Sequence, residues 1–189
     1  MNSKKISEME ILKVQKNKII LDDENIVKIS KYISYKYDLE DGEEIVGDKK
    51  DKIIYEILLE EAYKIISRKL YASKDVSIKL EHKINNIEMI DKIINKLKED
   101  KYINDKEYAK QYIEIKKYGR KRVCYELSKK GISEKEINLA YDELEIDEAE
   151  FISFYIKKIA KKEREKQIRY LLRRGFSFDL ISEKLGEEE

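Results

Sequence analysis

Residues 123–137 read VCYELSKKGISEKEI, and residues 168–181 repeat much of this pattern as IRYLLRRGFSFDLI. In both stretches an apolar segment leads through basic residues to a glycine, which an apolar residue follows at once. An earlier stretch around Leu80 fits the same frame without the glycine. Leu80 lies 47 positions before Leu127, and Leu127 lies 45 before Leu172. This self-similarity predicts tandem repeats, each with room for one long and two short helices.

The composition also favours helices. The chain has 189 residues, no proline and six glycines, whereas an average sequence carries about 5% proline. Charged residues make up 43% and hydrophobic residues 41%, a combination that suits amphipathic helices better than a disordered chain. We therefore predict a mainly α protein, an elongated array of three tandem three-helix repeats.

The amino-terminal part has a different pattern. Short apolar runs on both sides of a polar turn predict a β-hairpin over residues 11–21. A helix capped by Asp22 or Asp23 is expected to follow, to carry the apolar positions of residues 26–33 and to end before Gly42. The polar stretch 42–51 is the expected linker.

Helix caps divide the remainder of the chain. Residues that can cap a helix start precede successive apolar stripes, and they are Ser73, Asn86, Asn104, Ser133 with Glu136, and Asp147. The expected divisions are a small amino-terminal α+β segment at 1–47, repeat 1 at 48–103, repeat 2 at 104–146 and repeat 3 at 147–189.

The near-neutral total charge hides strong segregation. The net charge of +1 is the balance of −3 over residues 1–60, +8 over 61–130 and −4 over 131–189. Two basic blocks fall at the same place in their repeats, whereas residues 134–150 between them are strongly acidic. Stacked repeats would place both blocks on a related face, which predicts a broken basic stripe for a phosphate backbone or an acidic protein groove.

Sixteen residues of these blocks are our candidates for partner binding. Fifteen are cationic and one is a tyrosine beside a basic run: Lys116, Lys117, Tyr118, Arg120, Lys121, Arg122, Lys129, Lys130, Lys157, Lys158, Lys161, Lys162, Arg164, Arg169, Arg173 and Arg174. The other tyrosines sit mostly at helical core spacing, which favours packing over base stacking.

Catalytic and metal sites find no support in the sequence. His82 is the single histidine, and surface or packing roles are expected for it. Cys124 is the single cysteine and is expected to pack as a small apolar side chain. One histidine and one cysteine cannot assemble a usual zinc site, and phosphate-binding and nucleophile motifs are absent. We predict no catalytic residue, no metal and no cofactor.

Several features bear on location. A single cysteine fits a reducing compartment, and no apolar run approaches the length of a membrane span. The first ten residues lack the apolar core of a signal peptide. We expect a cytoplasmic monomer without a membrane partner.

The order of several motifs resembles the RecX family of recombinase regulators. Residues 118–132 look like that family's central signature of a glycine, a basic run, Glu-Leu and Lys-Gly-Ile, and residues 173–177 are similar to its carboxy-terminal Arg-Gly-Phe element. Residues 102–109 resemble the stretch before the central repeat. Asp75-Val76 replaces the Glu-Leu of the family's first repeat, which is a departure in that repeat. Residues 39–42 look like part of its leading segment.

The resemblance implies a non-enzymatic modulator of RecA. Members of the family are elongated three-repeat proteins that bind along the groove of the RecA–single-stranded-DNA filament and depress its ATP hydrolysis, strand exchange and coprotease activity. The implied partner is thus the RecA filament, with weak contact to single-stranded or duplex DNA, and the implied processes are recombination, DNA repair and the SOS response.

Two other functions remain open from the residues alone. A helix-turn-helix regulator could read duplex DNA directly, with Arg120–Lys130 as its reader helix. A structural scaffold would need neither DNA nor a filament.

Overall fold

A computed structural model describes residues 11–21 and 26–186 of the chain. The strands are β1 (Ile11–Gln15), β2 (Lys18–Leu21) and β3 (Ile26–Lys28). The helices are α1 (Lys31–Lys36), α2 (Gly47–Ile66), α3 (Ser73–Glu81), α4 (Ile87–Glu99), α5 (Asp105–Lys116), α6 (Arg120–Lys129), α7 (Glu134–Leu144), α8 (Glu148–Ile159), α9 (Arg164–Arg173) and α10 (Phe178–Gly186). The protein is mainly α with successive three-helix groups, as predicted.

The strands form one antiparallel sheet in the order β1-β2-β3. Val14 pairs with Ile19, and Ile19 pairs with Val27. All three side chains are buried, so one face of the sheet belongs to the core. The predicted hairpin is confirmed.

The expected helix over residues 26–33 is wrong at its start. Ile26–Lys28 is the third strand, because its β-branched residues pair with the second edge of β2 and satisfy that edge's main-chain groups. Helix α1 begins later, where the Ser30 hydroxyl accepts a hydrogen bond from the Ile33 N–H at 3.2 Å. Asp22 and Asp23, the expected caps, lie outside the described residues.

Residues 42–51, which we predicted to be a linker, instead form part of the folded structure. The Gly42 N–H donates to the Val14 carbonyl at 2.8 Å, and the Val14 N–H donates to the Glu43 carbonyl at 3.1 Å. Ile45 is buried, and α2 already begins at Gly47. The main chain of β1 therefore holds the first half of this segment, while the second half is helix.

The chain forms two compact units. One comprises the chain up to Lys69 together with Val76–Tyr102, and the other comprises Leu70–Asp75 together with the chain from Ile103 onward. In the first unit α2 packs against α1 and α4. In the second, α5 and α6 pack against α7, and α8, α9 and α10 pack against one another, around one continuous hydrophobic core.

Four of the predicted caps are confirmed. The side chains of Asn86, Asn104, Ser133 and Asp147 accept hydrogen bonds from main-chain N–H groups in the first turns of α4, α5, α7 and α8. Ser133 also forms a reciprocal capping box with Glu136.

The repeat frame is confirmed with one change of register. Helices α6 and α9 begin 44 residues apart, as do α7 and α10, so Leu127 corresponds to Leu171 and not to Leu172. Leu127 and Leu171 are both fully buried, whereas Leu172 is 44% exposed. The 45-residue alignment was wrong because two adjacent leucines fit the pattern, although Gly131 and Gly175 lie 44 positions apart and favour Leu171.

The expected cap Ser73 has another role. It is the first residue of α3, its N–H donates to one Asp105 carboxylate oxygen at 2.7 Å, and its hydroxyl donates to the other at 2.6 Å. Asp105 is 4% exposed, and it lies in the first turn of α5, where a negative charge is favourable. One buried carboxylate therefore serves the starts of two helices.

Replacing Asp105 by alanine leaves the buried Ser73 N–H and hydroxyl without this acceptor. We expect Asp105→Ala to lower the free energy of unfolding by about 2–3 kcal/mol, measured by urea denaturation. Asp105→Asn retains one acceptor oxygen and is the milder control. Equal stability of the alanine variant and the wild type would contradict this role.

An ion-pair group joins α5 to α7. The Lys106 ammonium lies 2.7 Å from a Glu143 carboxylate oxygen, and Lys110 contacts the other oxygen. Hydrogen bonds from Lys106 and Lys110 lower the pKa of Glu143 to about 2.

The Glu143 pKa lies below the usual glutamate value of about 4.3. The ion pair therefore stabilises the fold fully above about pH 4.3, and this stabilisation is lost as the pH falls toward about 2. We expect the Glu143 carboxyl to titrate near pH 2 in side-chain carboxyl NMR. In Lys106→Ala/Lys110→Ala it should titrate in the ordinary glutamate range, and an unchanged titration would disprove the pairing.

Candidate partner-binding surface

Two glycines bring the turn between α9 and α10 against the start of α6. The Gly119 N–H donates to the Arg174 carbonyl at 2.9 Å. A Cβ atom on Gly119 would lie 2.3 Å from the carbonyl carbon of Gly175. Gly175 has a φ of +90°, and a Cβ atom there would lie 2.4 Å from the Cβ of Arg122. No larger residue fits either position, so these glycines set how repeats 2 and 3 meet.

Arg122 lies beside this contact between repeats 2 and 3, which we call the junction. Its Nη1 donates to the Arg173 carbonyl at 2.9 Å, and its guanidinium lies 4.1 Å from the centre of the Tyr118 ring. Its Nε also lies 3.7 Å from a carboxylate oxygen of Glu126. A half-buried arginine held by a carbonyl, a ring and a carboxylate is part of the structure of the junction.

Arg174 lies among three tyrosines. Its guanidinium is 5.2 Å from the ring centre of Tyr118, 4.8 Å from that of Tyr155 and 4.9 Å from that of Tyr170. Its Nη2 donates to the Tyr170 hydroxyl at 2.8 Å, while the Tyr155 hydroxyl donates to the Lys116 carbonyl at 2.8 Å. Burial raises the pKa of Tyr155, and the Arg174 charge partly opposes this. The cluster joins the end of α5 to α8 and α9.

Arg120 is held in a similar way. Its N–H donates to the Glu148 carboxylate, its Nη2 donates to the Asn138 side-chain oxygen at 2.7 Å, and its guanidinium lies 4.6 Å from the Tyr141 ring centre. Burial raises the pKa of Glu148, and the hydrogen bond from Arg120 opposes this. The start of α6 is therefore connected to α7 and α8 by one arginine.

The other candidates divide into two groups. Several cations lie over aromatic rings or beside carboxylates. Lys117 is 5.0 Å and Lys158 3.9 Å from the Phe154 ring centre, and Lys129 is 4.1 Å from that of Tyr125. Lys130 lies 2.6 Å from Asp75, and Arg169 lies 3.6 Å from Glu165. Exposure does not separate the two groups, since Lys129, Lys158 and Arg169 are exposed, as are the seven further candidates: Lys116, Lys121, Lys157, Lys161, Lys162, Arg164 and Arg173.

The structure also adds Tyr125, Leu172 and Lys166 to the sixteen candidates. A groove between α6 and α9 is lined by Lys121, Tyr125, Leu172 and Arg173, among others. A second groove along α9 includes Lys166. A repeat length of 44 residues aligns Leu171, and not Leu172, with the buried Leu127, so the sequence could have predicted that Leu172 is exposed. Tyr125 is 57% exposed, so its predicted core place is wrong. It lies two positions from both Val123 and Leu127, which puts it on the opposite face of α6 from these buried residues.

Cys124 and His82 are the chain's single cysteine and single histidine. Burial raises the pKa of the Cys124 thiol, which disfavours the reactive thiolate, and His82 is exposed. Across residues 11–21 and 26–186, no three histidine, cysteine or acidic side chains are grouped to hold a metal ion. In the same ranges no helix combines the length and the apolar character needed to cross a bilayer.

The comparisons with known proteins all identify the same family. The family model described as RecX, third three-helix domain, matches residues 155–185. The regulatory protein RecX of Caldanaerobacter subterraneus subsp. tengcongensis is 31% identical over 159 residues, which cover 78% of this chain and 81% of the relative. The protein of the same name from Clostridium botulinum strain Alaska E43 is 29% identical over 204 residues, covering 97% of this chain and 95% of its own.

Solved structures agree. The crystal structure of RecX from Lactobacillus salivarius superposes with a TM-score of 0.60 at 28% identity, over 71% of this chain and 96% of that one. Another crystal structure, of a regulatory protein RecX, has a TM-score of 0.60 at 22% identity and covers 95% of this chain and 99% of its own. That second likeness supports the fold.

Replacing Gly119 by alanine places a methyl group in space that the main chain of the α9–α10 turn already occupies. We expect Gly119→Ala to lower the free energy of unfolding by about 3 kcal/mol, the upper range for overpacking. Gly186→Ala is the matched control, because a Cβ atom there meets nothing within 4 Å, and it should change stability by less than about 0.5 kcal/mol. Urea denaturation measures both, and equal effects would refute the close approach.

Proposed function

Because the chain belongs to the RecX family of regulatory proteins, we propose that it is a non-enzymatic regulator of RecA. In this proposal it binds the RecA–single-stranded-DNA filament and lowers the filament's recombinase, ATPase and coprotease activities. It acts in the cytoplasm as a monomer, needs no cofactor, and contacts DNA weakly and without sequence preference.

One structural observation supports this proposal in addition to membership of the family. The Gly119–Arg174 contact holds the basic blocks of repeats 2 and 3 together, while Lys121 and Arg173 on either side of it are exposed. Such a patch suits a polyanionic or acidic surface that extends over several subunits. Exposed cations supply the long-range attraction, and the packed arginines keep their helices in place.

The repeats give this surface its frame. We propose residues 48–103, 104–146 and 147–189 as the three repeats, preceded by the small segment 1–47. The helix triplets α2–α4, α5–α7 and α8–α10 correspond to them, and the match to a third three-helix domain at 155–185 falls within the last.

The helix-turn-helix alternative is less well supported. A reader helix needs free side chains near its start to contact base edges. In α6 the guanidinium of Arg120 is bound to Asn138, and that of Arg122 is bound to the Arg173 carbonyl. Reading DNA with these side chains would break contacts that hold α6 in position.

The proposed function predicts inhibition of RecA by the purified chain. RecA ATP hydrolysis on single-stranded DNA should fall as the chain is added, and Lys121→Glu/Lys161→Glu should need about tenfold more protein for the same effect. These two exposed lysines come one from each basic block, so their reversal leaves the arginine contacts intact.

The matched control reverses two exposed lysines of α2, Lys52→Glu/Lys64→Glu, and should inhibit as the wild type does. Circular dichroism verifies that all three proteins are folded. A folded wild-type chain that leaves RecA ATPase unchanged would disprove the proposed function.

A further inference from the structure

The groove between α6 and α9 combines apolar and basic side chains. Tyr125 is 57% exposed and Leu172 is 44% exposed, and Lys121 and Arg173 line the same groove. The groove's acidic side chain, Glu126, lies 3.7 Å from Arg122 and is thus balanced by it. An exposed leucine beside a tyrosine is an apolar contact area with cations at its rim.

A cationic stripe continues from this groove along α9. The second groove is lined by four cations and one tyrosine: Lys162, Lys166, Arg169, Tyr170 and Arg173. Lys166, Arg169 and Arg173 are spaced by three and four positions and share one face of α9, while Lys162 lies in the turn just before this helix. At about 1.5 Å per residue these three extend over roughly 10 Å, or two helical turns. Arg173 lines both grooves, so they adjoin at this residue.

Local carboxylates do not neutralise this stripe. Lys166 lies 2.8 Å from Glu163, and Arg169 lies 3.6 Å from Glu165, but all four side chains are largely exposed. Surface pairs of this kind contribute about 0–1 kcal/mol each. A partner that brings its own carboxylates can therefore exchange with them at little cost.

The chemistry of the joined grooves favours a protein segment over a nucleic acid. Binding of single strands relies on aromatic faces that are open for base stacking. Here Lys129 lies 4.1 Å from the ring centre of Tyr125, and Arg174 lies 4.9 Å from that of Tyr170. Leu172 offers nothing to a phosphate, whereas an apolar side chain flanked by carboxylates can use it.

We propose that the α6–α9 groove and the stripe along α9 bind an acidic amphipathic helix of the protein partner. Carboxylates spaced three and four residues apart on that helix would pair with Lys166, Arg169 and Arg173, in the helix-in-groove mode. One apolar side chain of the same helix inserts between Tyr125 and Leu172. This inference rests on the proposed function and adds the chemistry of the segment that is recognised.

A direct binding measurement tests the groove. The probe is a fluorescein-labelled, alanine-based peptide of about 16 residues, with glutamates at successive three- and four-residue spacings and one leucine on the same face. Fluorescence anisotropy at low salt should show binding to the wild type. Leu172→Ser and Arg169→Glu/Arg173→Glu should each weaken it about tenfold or more.

Matched controls separate the groove from general surface effects. Ile115→Ser removes an apolar side chain of α5 that is even more exposed than Leu172, at 73%, and Lys52→Glu/Lys64→Glu removes the same charge elsewhere. Both should bind the peptide as the wild type does. Equal losses in control and groove variants, or none in either, would overturn the proposal.

A second arm uses single-stranded oligothymidylate as the probe. Preserved oligothymidylate binding in Leu172→Ser, together with lost peptide binding, supports a protein-binding groove. If the groove variants lose oligothymidylate binding and keep peptide binding, the groove is a nucleic-acid site and the proposal fails.

The same variants in the RecA ATPase assay distinguish this inference from the proposed function. If folded Leu172→Ser inhibits RecA less than the wild type does, while Ile115→Ser inhibits it equally well, both the groove and the proposed function are supported. Undiminished inhibition by Leu172→Ser overturns the groove and leaves the proposed function standing. If the wild type does not inhibit RecA while Leu172 remains essential for peptide binding, the proposed function falls and the groove stands.

Discussion

The hydrogen bond from the Gly119 N–H to the Arg174 carbonyl is the contact on which the charged surface depends. It forms only because neither Gly119 nor Gly175 has a side chain, so the main chains of two repeats approach to a distance that any Cβ atom would prevent. This approach places Arg122 against the α9–α10 turn and Arg174 among three tyrosines. The exposed cations of both repeats take their positions from it.

Basic residues thus have two physical roles in this part of the chain. Arginines 120, 122 and 174 bind carbonyl, amide and hydroxyl groups with their planar guanidinium groups and lie over aromatic rings, which a lysine could not do equally well. Most exposed cations are lysines, whose flexible side chains keep the charge in water. The same formal charge therefore holds repeats together in one case and attracts a partner in the other.

The helical pattern of the chain was largely predictable from sequence, because the interactions behind it are local. Asn104, Ser133 and Asp147 cap helices through N–H groups two or three residues away. Predictions failed where the competing interaction was distant in sequence. Ile26–Lys28 became a strand because β2 offered a free edge, and Ser73 turned to Asp105 because that carboxylate is buried beside it.

The sequence by itself determined the mainly helical class, the repeats, the family resemblance and the segregation of charge, since periodicity, caps and composition are properties of neighbouring residues. Only the tertiary structure decided which cations bind groups on other helices, as Arg120, Arg122 and Arg174 do. The reason is that these contacts join residues far apart in sequence, and those of Arg122 and Arg174 lie where the main chains of Gly119 and Gly175 approach. The apolar groove with a basic rim lies at this approach, since Arg122 and Gly175 line it together with Tyr125 and Leu172.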